Sequence, residues 1–148
     1  HSYSSAASDV YKRQIQDSEI ETLLKMTNNE STQIITQEFI EDIYEGDFRI
    51  LIIHGKPFKK TLARIPQGDS FKGNLAAGGK GVVKDISDFQ FEMASEIGDF
   101  LIQKDINFAG IDVIGNFLTE INVTSPTCAR QILDQSGENP IQEYFEKL

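Results

Sequence analysis

At 148 residues, with 39% apolar side chains, the chain has one domain's length and can bury a hydrophobic core. A mean hydropathy of −0.30 and the absence of any long apolar run exclude a membrane-spanning helix and a signal-peptide core. The net charge of −9 argues against a nucleic-acid binder, and a single cysteine excludes an internal disulfide framework and fits a reducing cytoplasm.

Residues 1 to 14 have a Ser/Ala bias and no core-forming period. They read as a disordered leader, or a cloning or sequencing scar, which leaves residues 15–148 to fold. A first helix is expected from Ser18, with Glu21 completing a capping box and Ile20, Leu23 and Leu24 buried. Ile34 to Phe39 reads as a strand. Phe48 to Ile53 reads as a second, and after a His54-Gly55-Lys56-Pro57 turn Phe58 to Ile65 returns as its hairpin partner. Pro66 to Gly81 holds five glycines in sixteen residues, and so long a loop in a compact domain is either disordered or functional, such as a lid.

A helix follows, opened by a Ser87/Gln90 capping box, with Phe89, Met93, Ile97 and Leu101 on its buried stripe. Phe108 to Ile114 and Phe117 to Val123 are strands joined by a tight Gly115-Asn116 turn. Helix signals resume at Ser125-Pro126, and again at Asn139-Pro140 with Ile141, Tyr144, Phe145 and Leu148 on one face. The sum is an antiparallel-rich α+β domain.

Leu118 to Cys128 is the most informative stretch. Glu120 and Asn122 are two residues apart on an apolar strand and so share a face, immediately before a helix start. With Asp112 on the preceding strand they make an oxygen set suited to Mg²⁺ or Mn²⁺. Across a strict two-residue turn Asp112 and Glu120 would face opposite sides, and a three-residue loop or a bulge at Phe117 would align them. A solvated strand face is the plain alternative, set against a strand that reads as largely buried.

Charge is concentrated too. Between Arg49 and Lys84 eight basic residues stand against one acid, Asp69, which suits a small anionic ligand or simply a solvated basic face. Glycine-freed N–H groups with Lys72 and Lys80 could cradle phosphates, though the loop matches neither the Walker A nor the dinucleotide pattern. Arg49 and Arg64, on the two arms of the hairpin, could hold a carboxylate or phosphate, or form edge salt bridges with Asp47 or Glu45. Cys128 reads as a small buried side chain rather than a nucleophile, since His1 and His54 are the chain's two histidines and neither sits near it in sequence.

Taken in order, Gly46-Asp47 with Arg49, Leu62 to Pro66, Gly73 to Gly81, Gly110 to Gly115 and Leu118 to Cys128 resemble the C-terminal catalytic part of bacterial glutathione synthetase, an ATP-grasp ligase. The likeness is strong over about residues 34 to 130 and faint over 15 to 33. It implies an ATP-grasp C-terminal lobe whose Gly-rich loop closes as a lid. It also implies ATP-dependent joining of γ-glutamylcysteine and glycine to glutathione through an acyl phosphate, with Mg²⁺ or Mn²⁺. The full-length protein would be a cytoplasmic homo-oligomer without nucleic-acid or membrane partners.

Residue by residue, the resemblance assigns the metal to Asp112, Glu120 and Asn122. It gives adenine to a hinge strand of Gln37, Glu38, Phe39 and Ile40, the ribose to Asp47, and further ATP contacts to Gly78, Gly79 and Lys80. Arg49 and Arg64 would be catalytic and, with Asn74, Ser125 and Thr127, would hold the peptide substrate. Departures are Lys72 for a usual arginine, Glu38-Phe39 in the hinge, and an alanine after Cys128. The family's upstream substrate domain and phosphate-holding lysines are missing from this sequence, so a fragment inactive alone is expected. Other readings are a different ATP-grasp carboxylate–amine ligase, such as a peptide or D-alanine ligase, or a non-catalytic nucleotide-binding module.

Overall fold

The computed structural model describes residues 17–34, 37–68 and 79–147, and the chain divides into two compact units, His1–Phe39 and Ile40–Leu148. In the first unit, α1 (Asp17–Met26) forms where a helix is expected, but Ser18 lies inside it rather than at its cap. Leu23 is half-buried, whereas Ile20 and Leu24 are exposed, contrary to expectation. Thr27 ends the helix by donating its hydroxyl back to the Leu23 carbonyl at 2.8 Å. The strand expected over Ile34 to Phe39 is not found: Ile34 and Gln37–Phe39 have no regular structure, and the sheet's ladders do not include them. An apolar run supplies a strand's side chains, but only a neighbouring edge can supply its hydrogen bonds.

The second unit opens with a short 3₁₀ turn (Glu41–Tyr44) and carries an antiparallel sheet of five strands. These are β1 (Asp47–Ile53), β2 (Lys56–Ile65), β3 (Lys80–Asp85), β4 (Phe108–Ile114) and β5 (Phe117–Asn122), in spatial order β3-β2-β1-β4-β5. Its helices among the described residues are α2 (Asp88–Ile102), α3 (Ala129–Ser136) and α4 (Pro140–Glu146). The β1–β2 turn is shorter than expected. His54 and Gly55, both at positive φ (47° and 77°), make a two-residue hairpin turn, and Pro57 enters the strand beside a register irregularity, where a missing N–H is tolerated.

Alternation along β1 builds the core. Ile50 and Ile52 pack with Ala109, Ile111 and Val113 against Ala94 and Leu101 of α2. Leu51 and Ile53 face the other way, with Phe58, Leu62, Cys128 and Ile132. The central strand is therefore apolar on both faces at its C-terminal end. The Ser87/Gln90 capping box forms as expected, and of the expected stripe Leu101 is buried and Met93 and Ile97 pack half-buried against the core, whereas Phe89 is 45% exposed and Gln90, Ala94 and Gly98 also turn inward. The helix approaches the hairpin closely at Gly98, where a Cβ would lie 2.1 Å from the Gly55 carbonyl oxygen, so only glycine fits there without a shift.

β3 was not expected as a strand, and β5, expected to be largely buried, is an exposed edge, with Leu118 40% and Ile121 42% accessible. α3 begins at Ala129 rather than at Ser125-Pro126, because both Ser125 (φ 50°) and Cys128 (φ 88°) take left-handed backbone angles that break helical continuity. α4 is capped as expected by the Asn139 side chain, but Ile141 and Phe145 are exposed and Leu148 lies outside the described residues. Tyr144 does face inward, stacked on His54 with ring centroids 4.9 Å apart.

Candidate functional site

The polar end of the sheet is set by the same alternation. Asp47 and Arg49 precede Leu51 on one face of β1; Arg64 of β2 lies opposite Asp47, and Asp112 of β4 lies opposite Arg49. The four side chains meet. Arg49 donates through Nε and Nη2 to the two oxygens of Asp112, the second bond 2.8 Å long. Arg64 Nη2 donates to Asp47 Oδ2 and also stands 2.8 Å from Asp112 Oδ2. Arg49, Arg64 and Asp112 are all buried, so the charges neutralise one another in a setting where an uncompensated one would be costly.

Neighbours hold this arrangement in place. Thr61 donates its hydroxyl to the Arg49 carbonyl at 2.8 Å. Gly110 lies under the Arg49 side chain, and a Cβ there would come within 2.8 Å of Pro126 Cβ and 3.0 Å of Arg49 Cδ. Pro126 is thus the roof of the cluster rather than the first residue of a helix.

The two aspartates respond oppositely. Burial pushes Asp112 upward, but the bonds from Arg49 and Arg64 outweigh it and leave the carboxyl below its usual range. At Asp47 burial wins over Arg64, and the carboxyl is raised. Among the described residues two buried side-chain atoms have no hydrogen-bond partner, Asp47 Oδ1 and Arg64 Nε. Both belong to this cluster, which is therefore well formed but not saturated.

Glu120 stands directly opposite Asp112, and Asn122 opposite Gly110, so both share the cluster's face. A bulge aligns them, at Thr119 rather than at Phe117: the two-residue turn pairs Ile114 with Phe117 and Val113 with Leu118, and the register then shifts by one. Glu120 is exposed, and Asn122 Oδ1 accepts the Thr124 N–H at 3.1 Å. Among the described residues no group of three His, Cys, Asp or Glu side chains gathers as a metal cage. The donors are two carboxylates and an amide: Glu120 is exposed, while Asp112 already accepts from both arginines and Asn122 Oδ1 from Thr124, so a hard cation with most of its ligands from phosphate or water fits by sharing those oxygens.

The remaining expected residues are scattered or out of view. Ser125 and Thr127 are exposed on the loop between β5 and α3. Gly79 is half-buried, and Lys80 opens β3 opposite Ile65, where the Gly-rich segment leaves β2. Asn74, Gly78 and Lys72 lie outside the described residues. Gln37, Glu38 and Phe39 belong to the first unit, whereas Ile40 opens the second. Cys128 is buried in the apolar cluster under α3, as the packing reading requires. Sequence reasoning did not single out Gly110 or Thr119; a glycine two residues before Asp112 was the available signal for close approach.

Comparison with known proteins decides the family. The prokaryotic glutathione synthetase ATP-grasp domain matches residues 3–137. The chain belongs to that family. It is 45% identical over 123 residues to the glutathione synthetase of Xylella fastidiosa strain 9a5c, covering 83% of this chain and 39% of that protein. To the glutathione synthetase of Pseudomonas aeruginosa it is 43% identical over 135 residues, 90% of this chain and 42% of that protein. The Nitrosomonas europaea glutathione synthetase gives 45% over 131 residues, 88% and 41%. The chain thus spans about two fifths of the length of these relatives. No helix among the described residues is long and apolar enough to cross a membrane.

Proposed function

We propose that this chain is the catalytic-lobe portion of an ATP-dependent ligase joining γ-glutamylcysteine to glycine. The observation that carries this reading is the convergence of Asp47, Arg49, Arg64, Asp112, Glu120 and Asn122 on one face and one end of the sheet. The relatives named glutathione synthetase supply the substrates.

In the reaction, the cysteinyl carboxylate of the dipeptide attacks the γ-phosphate of ATP, and ADP leaves. The glycine amine then attacks the acyl phosphate, forms the amide and expels phosphate. Asp112, Glu120 and Asn122 would hold a divalent cation, Mg²⁺ or Mn²⁺, which neutralises phosphate charge when bound.

The chain's own residues have separate tasks. Arg49 fixes the Asp112 carboxylate from both oxygens, and Arg64 bridges Asp112 to Asp47 with its Nε still unpartnered. That N–H is a donor suited to a carboxylate or phosphoryl oxygen entering from the polar end. Asp47, raised by burial and with Oδ1 unpartnered, is suited to a hydroxyl such as that of a ribose. The exposed Ser125 and Thr127, beside the Pro126 roof, offer hydroxyls toward a peptide, and Asn74 would add an amide from the Gly-rich loop. That loop, with Gly78, Gly79 and Lys80, would close over the acyl phosphate and exclude water. Adenine would meet the backbone of Gln37 to Ile40, and the whole protein would assemble as a homo-oligomer in the cytoplasm.

The test is ADP release by the complete protein carrying this chain, with γ-glutamylcysteine and with or without glycine. Release that requires both substrates supports the reading. Release with a different acid and amine keeps the ATP-grasp mechanism and overturns the substrates. Replacement of Glu120 by Gln should abolish turnover in a ligase, whereas a pure nucleotide binder would lose only some affinity.

A further inference from the structure

The hairpin β4–β5 contains one residue too many, and the way that residue is accommodated decides which way the site faces. From the turn, Ile114 pairs with Phe117 and Val113 with Leu118. Continued without interruption, this register would set Thr119 opposite Asp112 and Glu120 opposite the fully buried Ile111, on the apolar face that packs against α2. Because side chains alternate, a one-residue slip moves every later side chain to the opposite face. In the structure Thr119 is extra. Asp112 meets Glu120, Ile111 meets Ile121, and Gly110 meets Asn122.

The bulge thus corrects two things at once. It brings Glu120 and Asn122 beside Asp112, and it returns Ile121 to the apolar face. A bulge leaves part of the ladder unpaired. Here the Thr119 hydroxyl donates to the Asp112 carbonyl oxygen at 3.1 Å, tying the extra residue to the backbone of the residue whose carboxylate it serves.

We infer that Thr119 is a positioning residue: its bulged conformation, held by the hydroxyl bond to the Asp112 carbonyl, keeps the cation-binding face of this lobe in register. The inference rests on the proposed reading of Asp112, Glu120 and Asn122 as cation ligands. Thr119 itself touches neither cation nor substrate. It sets the register that lets the ligands converge.

The probe is Mn²⁺ alone, titrated into the 148-residue chain and followed by the loss of the free-ion electron paramagnetic resonance signal, with circular dichroism as the check on folding. The unaltered chain and Thr119→Ser, which keeps the hydroxyl, should bind alike. Thr119→Val should bind about 10-fold more weakly, the lower end of what a lost outer-shell partner costs a metal site. Deletion of Thr119 removes the residue to be accommodated and leaves Glu120 opposite Asp112 in an unbulged ladder, so a folded deletion variant should keep binding. Unchanged affinity in Thr119→Val, or loss of binding in a folded deletion variant, overturns the inference. If the deletion variant unfolds, the valine and serine pair decides. Glu120→Gln separates the two levels: unchanged Mn²⁺ binding there, or none by the unaltered chain, overturns the cation reading itself and the bulge's role with it. Loss in Glu120→Gln with none in Thr119→Val overturns the bulge alone.

Discussion

Arg49 lies between Asp112 across the strand and the roof formed by Pro126 over Gly110, and its planar fork matches the carboxylate at both oxygens. Removing it as Arg49→Met leaves a buried carboxylate with Arg64 as its remaining cation. The expected loss is about 3 kcal/mol, the lower end for breaking a buried pair, read from urea denaturation. Arg49→Lys should fall between, because an ammonium keeps the charge but not the fork.

The two aspartates predict opposite pH responses. Asp112 holds its proton less tightly folded than unfolded, so its contribution to stability is complete above its ordinary value of 3.8 and is lost as pH falls through the depressed folded one. Asp47 holds its proton more tightly folded. Its contribution is complete below 3.8 and is lost as pH rises through the raised folded value. Denaturation midpoints followed against pH should therefore show a shallower acid loss in Asp112→Asn. Asp47→Asn should lack the decline that wild type suffers as pH climbs above 3.8. The arginines and the aspartates were each visible in the sequence as candidates. The Arg64–Asp47 bridge was among the pairings the sequence offered; the Arg49–Asp112 pair was not, since the two are 63 residues apart and only the β1–β4 register joins them.

Among the elements, those with their own local signature were legible. The two hairpins, the Ser87/Gln90 box and the Asn139-Pro140 start form from a turn, a cap and an alternating pattern that lie within a few residues. What failed depended on neighbours. Ile34 and Gln37–Phe39 belong to a run of strand-like composition yet join no ladder, β3 is a short lysine-bearing edge paired with β2, and on α2 Met93, Ile97 and Leu101 face the core as expected while Phe89 does not, beside the close approach of Gly98 to the hairpin. That last case gives a prediction in which two effects compete. Gly98→Ala gains up to about 1 kcal/mol in helix propensity. It also forces a methyl against the Gly55 carbonyl, and overpacking of this kind costs about 1–3 kcal/mol. Net destabilisation is expected, measured by chemical denaturation; a stabilised variant would mean that the helix can move away from the hairpin freely.

At the scale of the whole molecule, the described residues form a five-stranded sheet, and the chain matches about two fifths of its relatives' length. The 148-residue chain alone is expected to form no glutathione from ATP, γ-glutamylcysteine and glycine, assayed by chromatography of the thiol products. The family was legible from the ordered motifs because each records a backbone or charge requirement in a few adjacent letters. The bonds that tie Asp112 to both arginines were not, because they depend on strand order.

That order has a kinetic consequence. Asp47 and Arg64 belong to a single hairpin and can meet as soon as its two-residue turn closes, whereas Asp112 arrives on a separate hairpin after a long excursion through β3 and α2. Closing so long a loop carries the larger entropic cost, which makes docking of β4 on β1 the late event. The cluster is thus completed only at that docking, so the slow closure of the sheet and the birth of the site are one step, and a chain caught before it would have its hairpins without its chemistry.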